Sequence, residues 1–425
     1  MYTINNPAVA ERIESCCRTW RMWIEGTDGS IITDGIVSAN NEMQSTSLND
    51  DIELGAVCAQ SWTIRINGID TNFLGKEYKL YFYLIDYVHR FTTYADLEKY
   101  TFGILENAGV EQMSHYGDNS GSELGKAFYS DLENFTYTEL SNMAVRQIKN
   151  MGSMLGFEKI PLGKFICVKS KKKGGSTDVT FADRLYFSNK VYKPKINLPA
   201  WGRAIENDIC QQLGIENGND YATTEKLKEK SGARLYEQSG IRLETANFDI
   251  KITSIPEKAT MRQMLSYIAS AQGQFGFVDR FGRYVRKWYG RSVKLLDNNM
   301  IDTPTIGEKQ NVIMGVICKV SNDQTLQYGA ISGSSVSGWR ILEFENPYMT
   351  DSLLQSLWTR IYGYSWYTAE LYHRLGDPRF DIGDVVTYDN GAKAYDIPIT
   401  KMNFTFDGGL SADISAVGLS VEEQL

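Results

Sequence analysis

Residues Gly376–Leu419 read GDPRFDIGDVVTYDNGAKAYDIPITKMNFTFDGGLSADISAVGL. Their turn signals and alternation decide the fold class. Asn390-Gly391 tolerates positive φ at both positions and suits a tight hairpin. Asp407-Gly408-Gly409 is a second turn site. Together they split the stretch into three candidate strands. Met402, Phe404 and Phe406 alternate with Lys401, Asn403 and Thr405. Beyond the second turn, Leu410, Ala412, Ile414 and Ala416 alternate with Ser411, Asp413 and Ser415. Successive strand side chains point to opposite faces, so the even-numbered set packs a core and the odd-numbered set is exposed. The expectation is an antiparallel meander with one polar side.

The same alternation runs upstream. Trp20, Met22 and Ile24 mark a strand, Ile31–Val37 pairs back on it, and 38–51 is polar. Cys58–Asn67 alternates again. Tyr78–Ile85 is apolar on both faces, as a central strand should be. From Ile160 the sequence IPLGKFICVKS leads to a hairpin tip at Lys171-Lys172-Lys173-Gly174-Gly175, and Thr177–Asp183 returns. Residues 87–158 break the pattern: Tyr94–Tyr100 and Ser130–Asn150 have helical periods, so this stretch reads as a partly helical insertion. Helices are expected over Ala8–Cys17, over Leu198–Leu213 with Gly214 as its cap, and after Thr260, whose partner Gln263 completes a capping box. Phe275–Val278 and Tyr284–Trp288 form a hairpin. A last helix, at about 351–362, starts from Thr350 or Asp351. The fold class is α+β, mostly β. A first β-barrel takes 1–86 with 159–195, the insertion takes 87–158, an α+β helix-hairpin domain takes 196–300, and a second barrel takes 301–425.

Composition narrows the function. The chain has 425 residues and a net charge of -8, with no apolar run long enough to span a bilayer. Its first residues lack a basic region followed by an apolar stretch, so no secretory signal is expected. An acidic chain argues against clinging to nucleic acid. Residues 376–425 hold seven Asp and two Glu against three basic side chains, so most of the net charge lies there. The six cysteines contain no C-x-x-C pair and are expected to be buried, reduced thiols.

Catalytic signatures are missing. The three histidines, His89, His115 and His373, form no H-E-x-x-H motif, and there is no G-x-S-x-G, Walker or G-x-G-x-x-G pattern. The loop GDNSGSE lacks the spacing of a calcium loop. Asp377, Asp381 and Asp384 cluster closely enough for a glycosidase pair. Asp377-Pro378 is a turn starter and Gly383-Asp384 opens a strand, so the cluster reads as structural. No catalytic residue, metal or cofactor is expected, and the chain is not expected to be an enzyme.

Six pieces, in order, resemble the tail and baseplate hub proteins of bacteriophages, especially those of Gram-positive bacteria. They are Glu53–Ala59, Ile160–Phe165, Ile255-Pro256 with Thr260–Leu265 and the Asp279–Trp288 hairpin, Asn346–Thr350, Gly376-Asp377-Pro378 with Gly383-Asp384-Val385, and Phe406–Ser411. The resemblance implies a homotrimer in which two tail-tube-like barrels per chain give a six-barrel ring. It also implies contacts with the tail tube or distal tail protein, the tape-measure protein and the spike or tip protein. The location would be the virion tail, assembled in the host cytoplasm, with a channel for DNA or an effector. The acidic bias then suits a negative lumen, and Asp381, Asp384, Asp389, Asp396 and Asp413 are the channel-lining candidates. The 87–158 insertion departs from the family pattern. Rival readings are a receptor- or carbohydrate-binding tip module using that insertion, or a cell-wall hydrolase using the Asp377/Asp381/Asp384 cluster.

Overall fold

The computed structural model describes residues 1–4, 7–14, 19–48, 51–69, 71–85, 92–93, 109–115, 143–149, 159–219, 250–290, 292–296, 301–331 and 338–418. In chain order the strands are β1 Thr19–Gly26, β2 Ile31–Ile32, β3 Ile36–Gln44, β4 Ser61–Asn67, β5 Glu77–Ile85, β6 Thr92–Thr93, β7 Gly109–His115, β8 Met143–Lys149, β9 Ile160–Lys173, β10 Ser176–Ala182, β11 Ala200–Trp201, β12 Glu216–Asn217, β13 Lys251–Ile252, β14 Phe275–Val278, β15 Arg283–Lys287, β16 Ser292–Leu295, β17 Ile301–Lys319, β18 Thr325–Gly329, β19 Trp339–Glu345, β20 Ser365–His373, β21 Val385–Asp389, β22 Ala394–Pro398, β23 Lys401–Asp407 and β24 Leu410–Ala416. The α-helices are α1 Pro7–Glu14, α2 Gly202–Leu213, α3 Met261–Ala271 and α4 Asp351–Ile361.

The chain divides into two compact units. Met1, 25–80 and 162–425 form the larger, and 2–24 with 81–161 form the smaller. The boundaries expected at 195 and 300 therefore fall inside one unit. Strands β1, β5 and β9 have one end in each.

The larger unit is built on one sheet in the order β18-β17-β20-β24-β23-β3-β4-β10-β9, which continues through β5 and β1 to β2, with β19 beside β17. The decisive joint is β23 against β3. Met402 lies opposite Met43, Thr405 opposite Asn40, and Asp407 opposite Ser38. The early and late strands expected to form two barrels therefore share one sheet. The order has two ends among the described strands and is dominated by antiparallel pairs. β3 was not expected. Its segment looks polar because Ser38, Asn40 and Glu42 occupy the outer face while Ala39, Asn41 and Met43 face inward.

The opening stretch folds as four strands. β21 and β22 pair with each other and with β16 in a separate three-stranded sheet, while β23 and β24 belong to the large sheet. The chain changes sheets at Ile399-Thr400, where Thr400 N–H donates to the Ser415 carbonyl. The alternation held: Met402, Phe404, Phe406, Leu410, Ala412, Ile414 and Ala416 are all buried. Phe404 stacks on Trp62 of β4 with ring centroids 6.4 Å apart. Truncating a buried phenylalanine of this kind costs about 3–5 kcal/mol.

The helices form where the sequence signals them. Thr260 caps α3 in a full capping box with Gln263, and Thr350 caps α4 through the Leu353 N–H. α2 starts at Gly202, later than its periodicity suggests, and ends at Gly214 in the left-handed conformation. Phe275 and Tyr289 (5.4 Å), Tyr289 and Tyr364 (6.1 Å), and Tyr364 and Trp366 (5.9 Å) form a chain of aromatic contacts inside the unit. The Tyr289 hydroxyl shares a 2.7 Å hydrogen bond with Ser45, which ties that chain of rings to the segment after β3.

In the smaller unit Trp20 packs on Phe82 at 6.2 Å and Trp23 meets Tyr83 edge-on at 6.0 Å. The Lys159 ammonium sits 3.8 Å over the Trp23 ring. Its three-stranded sheet has the order β6-β8-β7. β8 corrects the helix expected over Ser130–Asn150 at 143–149; the rest of that stretch lies outside the described residues. Val145 and Ile148 favour extended backbone, and pairing with β7 supplies the ladder that a local helical period cannot. Tyr94–Tyr100 lies outside the described residues, as do 116–122 of the GDNSGSE loop region.

Candidate functional site

The outer face of the large sheet is continuous and polar. Register places Asp302 of β17 opposite Tyr372 of β20, Tyr372 opposite Asp413 of β24, and Asp413 opposite Asn403 of β23. A neighbouring row runs Ser411, Thr405, Asn40, Thr63, Thr180, Lys169 across β24-β23-β3-β4-β10-β9. A third runs Asp407, Ser38, Arg65, Asp178, Lys171. Directly opposed residues on neighbouring strands present their side chains on one face. Acidic groups gather at the β20–β24 end and lysines at the β9 end.

One ion pair bridges this face in mid-sheet. Arg65 Nε lies 2.8 Å from Asp178 Oδ1. That contact holds the Asp178 carboxyl below its ordinary value. At the acidic end the opposite holds. Partial burial first, and then the Glu370 charge, raise the Asp413 carboxyl.

The turn before β21 is a cluster of paired charges. Asp377, buried, contacts Arg379 Nη2 at 2.7 Å and Lys294 Nζ at 3.0 Å. Burial alone would raise its carboxyl. Hydrogen bonds from Arg379 and the Lys294 charge overcome that and hold it well below the usual range. Asp381 accepts from Arg280 Nε at 2.7 Å, and the same guanidinium donates to the carbonyls of Pro378 and Phe380. Asp384, also buried, lies 2.7 Å from Lys287 Nζ and 2.7 Å from the Met1 amino group. Burial raises its carboxyl as well, and those two cations turn the balance downward. Arg280, Lys287 and Lys294 all come from the β14–β16 segment, so the cluster fastens that segment to the β20–β21 turn. The Asp377/Asp381/Asp384 grouping, close enough in sequence for a carboxylate pair but read there as structural, is engaged in five ion pairs among the described residues.

The five channel-lining candidates thus separate. Asp381 and Asp384 carry matched charges in the turn. Asp389 and Asp396 share the outer face of the small sheet, with Thr387 donating to Asp396 at 2.7 Å and Asp389 accepting from the Gly391 N–H at 2.8 Å. Asp413 alone lies on the polar face of the large sheet. Alternation over 58–67 marked Arg65 as outward-facing, as it is, while sequence reasoning missed Glu42, Glu370 and Asp302 on that face. The signal was present as alternation in 38–44, but buried Asn41 obscured it.

A cleft of about 680 Å³ opens beside the Gly55–Ala59 segment, lined also by Glu53, Tyr186 and Arg262. Arg262 is committed to Ser188 Oγ and the Leu185 carbonyl, and Glu53 to Ser47. Cys58 lines the cleft with its thiol pushed up to about 12 by burial. Cys58, Cys167, Cys210 and Cys318 are free and buried, as expected; Cys16 and Cys17 lie outside the described residues.

No family model matches this chain, and no curated protein matches it. Among solved structures, the chain is similar to the 43 kDa tail protein of prophage MuSo2 from Shewanella oneidensis, with 11% identity over 93% of this chain and 97% of that one and a TM-score of 0.46. It is also similar to prophage tail protein gp18 from Listeria monocytogenes EGD-e, with 8% identity over 95% and 96% of the two chains and a TM-score of 0.42. A p2 virion baseplate structure in its activated conformation is a third, at 8% identity over 94% and 98% and a TM-score of 0.26.

Proposed function

We propose that this chain is a structural hub component at the distal end of a phage or phage-like tail. Three copies form a ring that joins the tail tube to the tip and leaves a passage for DNA or an effector. The reading rests on one observation above the rest. The motifs that resemble the hub family occupy the joints of the fold: Gly376–Val385 forms the ion-paired turn, Phe406–Ser411 the β23–β24 hairpin, and Asn346–Thr350 the cap of α4. These joints hold the early and late strands in one sheet with a polar face. Such a face suits solvent, including solvent in a passage, or another polar surface.

The two ends of the strand order among the described residues are where tube-like closure against neighbouring copies takes place. Asp389 and Asp396, on the small sheet, supply carboxylates toward the passage and reduce sticking of DNA. The function involves assembly geometry and no covalent step. The tail tube or distal tail protein lies above the ring, the spike or tip protein below, and the tape-measure protein in the lumen. Assembly takes place in the host cytoplasm. Native mass spectrometry of the purified chain tests the ring: the expected mass is three times 48.0 kDa. A monomer at every concentration contradicts it.

A further inference from the structure

The outer face of the large sheet carries two sets of charges that form no ion pair among the described residues. At one end, Lys169, Lys171 and Lys173 of β9 are exposed and project from the same face as Arg65. Among the described residues none of the three lysines is in an ion pair; Lys171 and Lys173 act on the Asp178 carboxylate only at a distance, since Arg65 already holds it, and Lys169 has no such partner. At the other end, Asp302, Glu370 and Asp413 are exposed, and none of them is in an ion pair among the described residues. The Glu370 charge acts on Asp413 directly.

The two sets cannot serve each other within one chain. β24 and β9 are five strand spacings apart, about 24 Å at the usual separation. That is two or more screening lengths at physiological salt. Their sizes match, however. Lys169 to Lys173 spans about 13 Å along the strand, and Asp302 to Asp413 spans about 10 Å across two strand spacings, with Glu370 about 7 Å further along β20.

We propose that the Lys169/Lys171/Lys173 face of one copy docks on the Asp302/Glu370/Asp413 face of a second copy of this chain. The contact is heterologous: different patches meet, so each copy offers a basic end to one neighbour and an acidic end to the next. Such a contact closes into a ring when the rotation per copy is right. It rests on the ring reading above only in taking the partner to be a second copy. It assigns Asp413 to the contact between copies and leaves Asp389 and Asp396 to the passage. Like charges left together on an exposed face are mildly unfavourable in a lone chain, and an opposing lysine row removes that cost.

The test is charge reversal followed by sedimentation velocity at about 0.05 M and about 0.5 M salt. All six side chains are exposed, so the variants keep the core. The native chain should assemble at low salt and weaken at high salt. K169E/K171E/K173E and D302K/E370K/D413K should each weaken assembly by about tenfold or more. The sixfold combination restores complementarity at unchanged net charge and should restore assembly. If the threefold variants assemble like the native chain, the docking surface is refuted and the ring reading stands. A native chain that never assembles refutes both. Duplex DNA supplies the last arm: if K169E/K171E/K173E loses DNA binding while assembly is untouched, the lysines serve phosphates and the proposal is overturned.

Discussion

The Asn41 side chain accepts a 2.6 Å hydrogen bond from the backbone N–H of Phe404, across 363 residues of chain. It is one of the few polar side chains on the inner face of the large sheet, and it sits where β3 meets β23. A buried backbone donor needs a partner, and here a side chain supplies it. The contact ties an early strand to a late one. Asn41→Leu removes the acceptor and leaves the Phe404 N–H buried and unsatisfied. The expected cost is about 1–3 kcal/mol in urea unfolding. Asn40→Ala, on the exposed neighbour, should stay within about 0.5 kcal/mol. Equal effects of the two would contradict the role assigned to Asn41.

Acid should loosen the turn before β21. Asp377 and Asp384 are both held below the ordinary carboxylate value of 3.8 in the folded chain. As pH falls, the unfolded state binds the protons first, so stability falls with it. The contribution is complete above about pH 5 and is lost progressively as pH falls through the folded values. Asp377→Asn leaves Lys294 and Arg379 without their buried carboxylate and should cost about 3 kcal/mol at pH 7. The gap should begin to narrow as pH falls below about 4 and close only once pH has fallen through the lowered folded value of Asp377. Parallel curves across that range would show that Asp377 does not titrate as described.

Gly383 carries two demands at once. Its φ is +78°, and a Cβ there would lie 2.5 Å from Phe275 Cζ. Gly383→Ala therefore strains the backbone and pushes on a buried ring of β14. Thermal unfolding should show a loss of about 2 kcal/mol or more. Gly391→Ala is the control, because its φ is +85° but nothing lies within 4 Å of the added carbon. It should lose clearly less.

Peptidoglycan zymography separates the structural reading from a hydrolase. The carboxylates that sequence would offer for catalysis are engaged with Arg280, Lys287, Lys294 and Arg379. A general acid needs a carboxyl raised toward neutral pH, and Asp377 and Asp384 move the other way. The purified chain should give no cleared band. A band that disappears in Asp381→Asn would contradict this.

Much of the fold was legible because period-two alternation is a local signal. The inward faces of β23 and β24, the capping box of α3 and the end of α2 at Gly214 follow from short-range rules. The pairing of β3 with β23 was not legible, since nothing in 38–44 points to a partner more than 350 residues away. Pro398 marks the end of β22, but nothing in Ile399-Thr400 shows that the next strand joins a different sheet. The carboxylate candidates show the same limit. Asp384 and Asp413 both sit in acidic strand-like contexts. Only tertiary partners decide that one is buried against Lys287 and the other is exposed beside Glu370.

A structural place in a tail can be seen by labelling. Particles from the strain encoding this chain can be imaged by electron microscopy with gold-tagged antibody against it. Label should be confined to the distal end of the tail. Particles with intact tails and no label there, or label only outside particles, would contradict it.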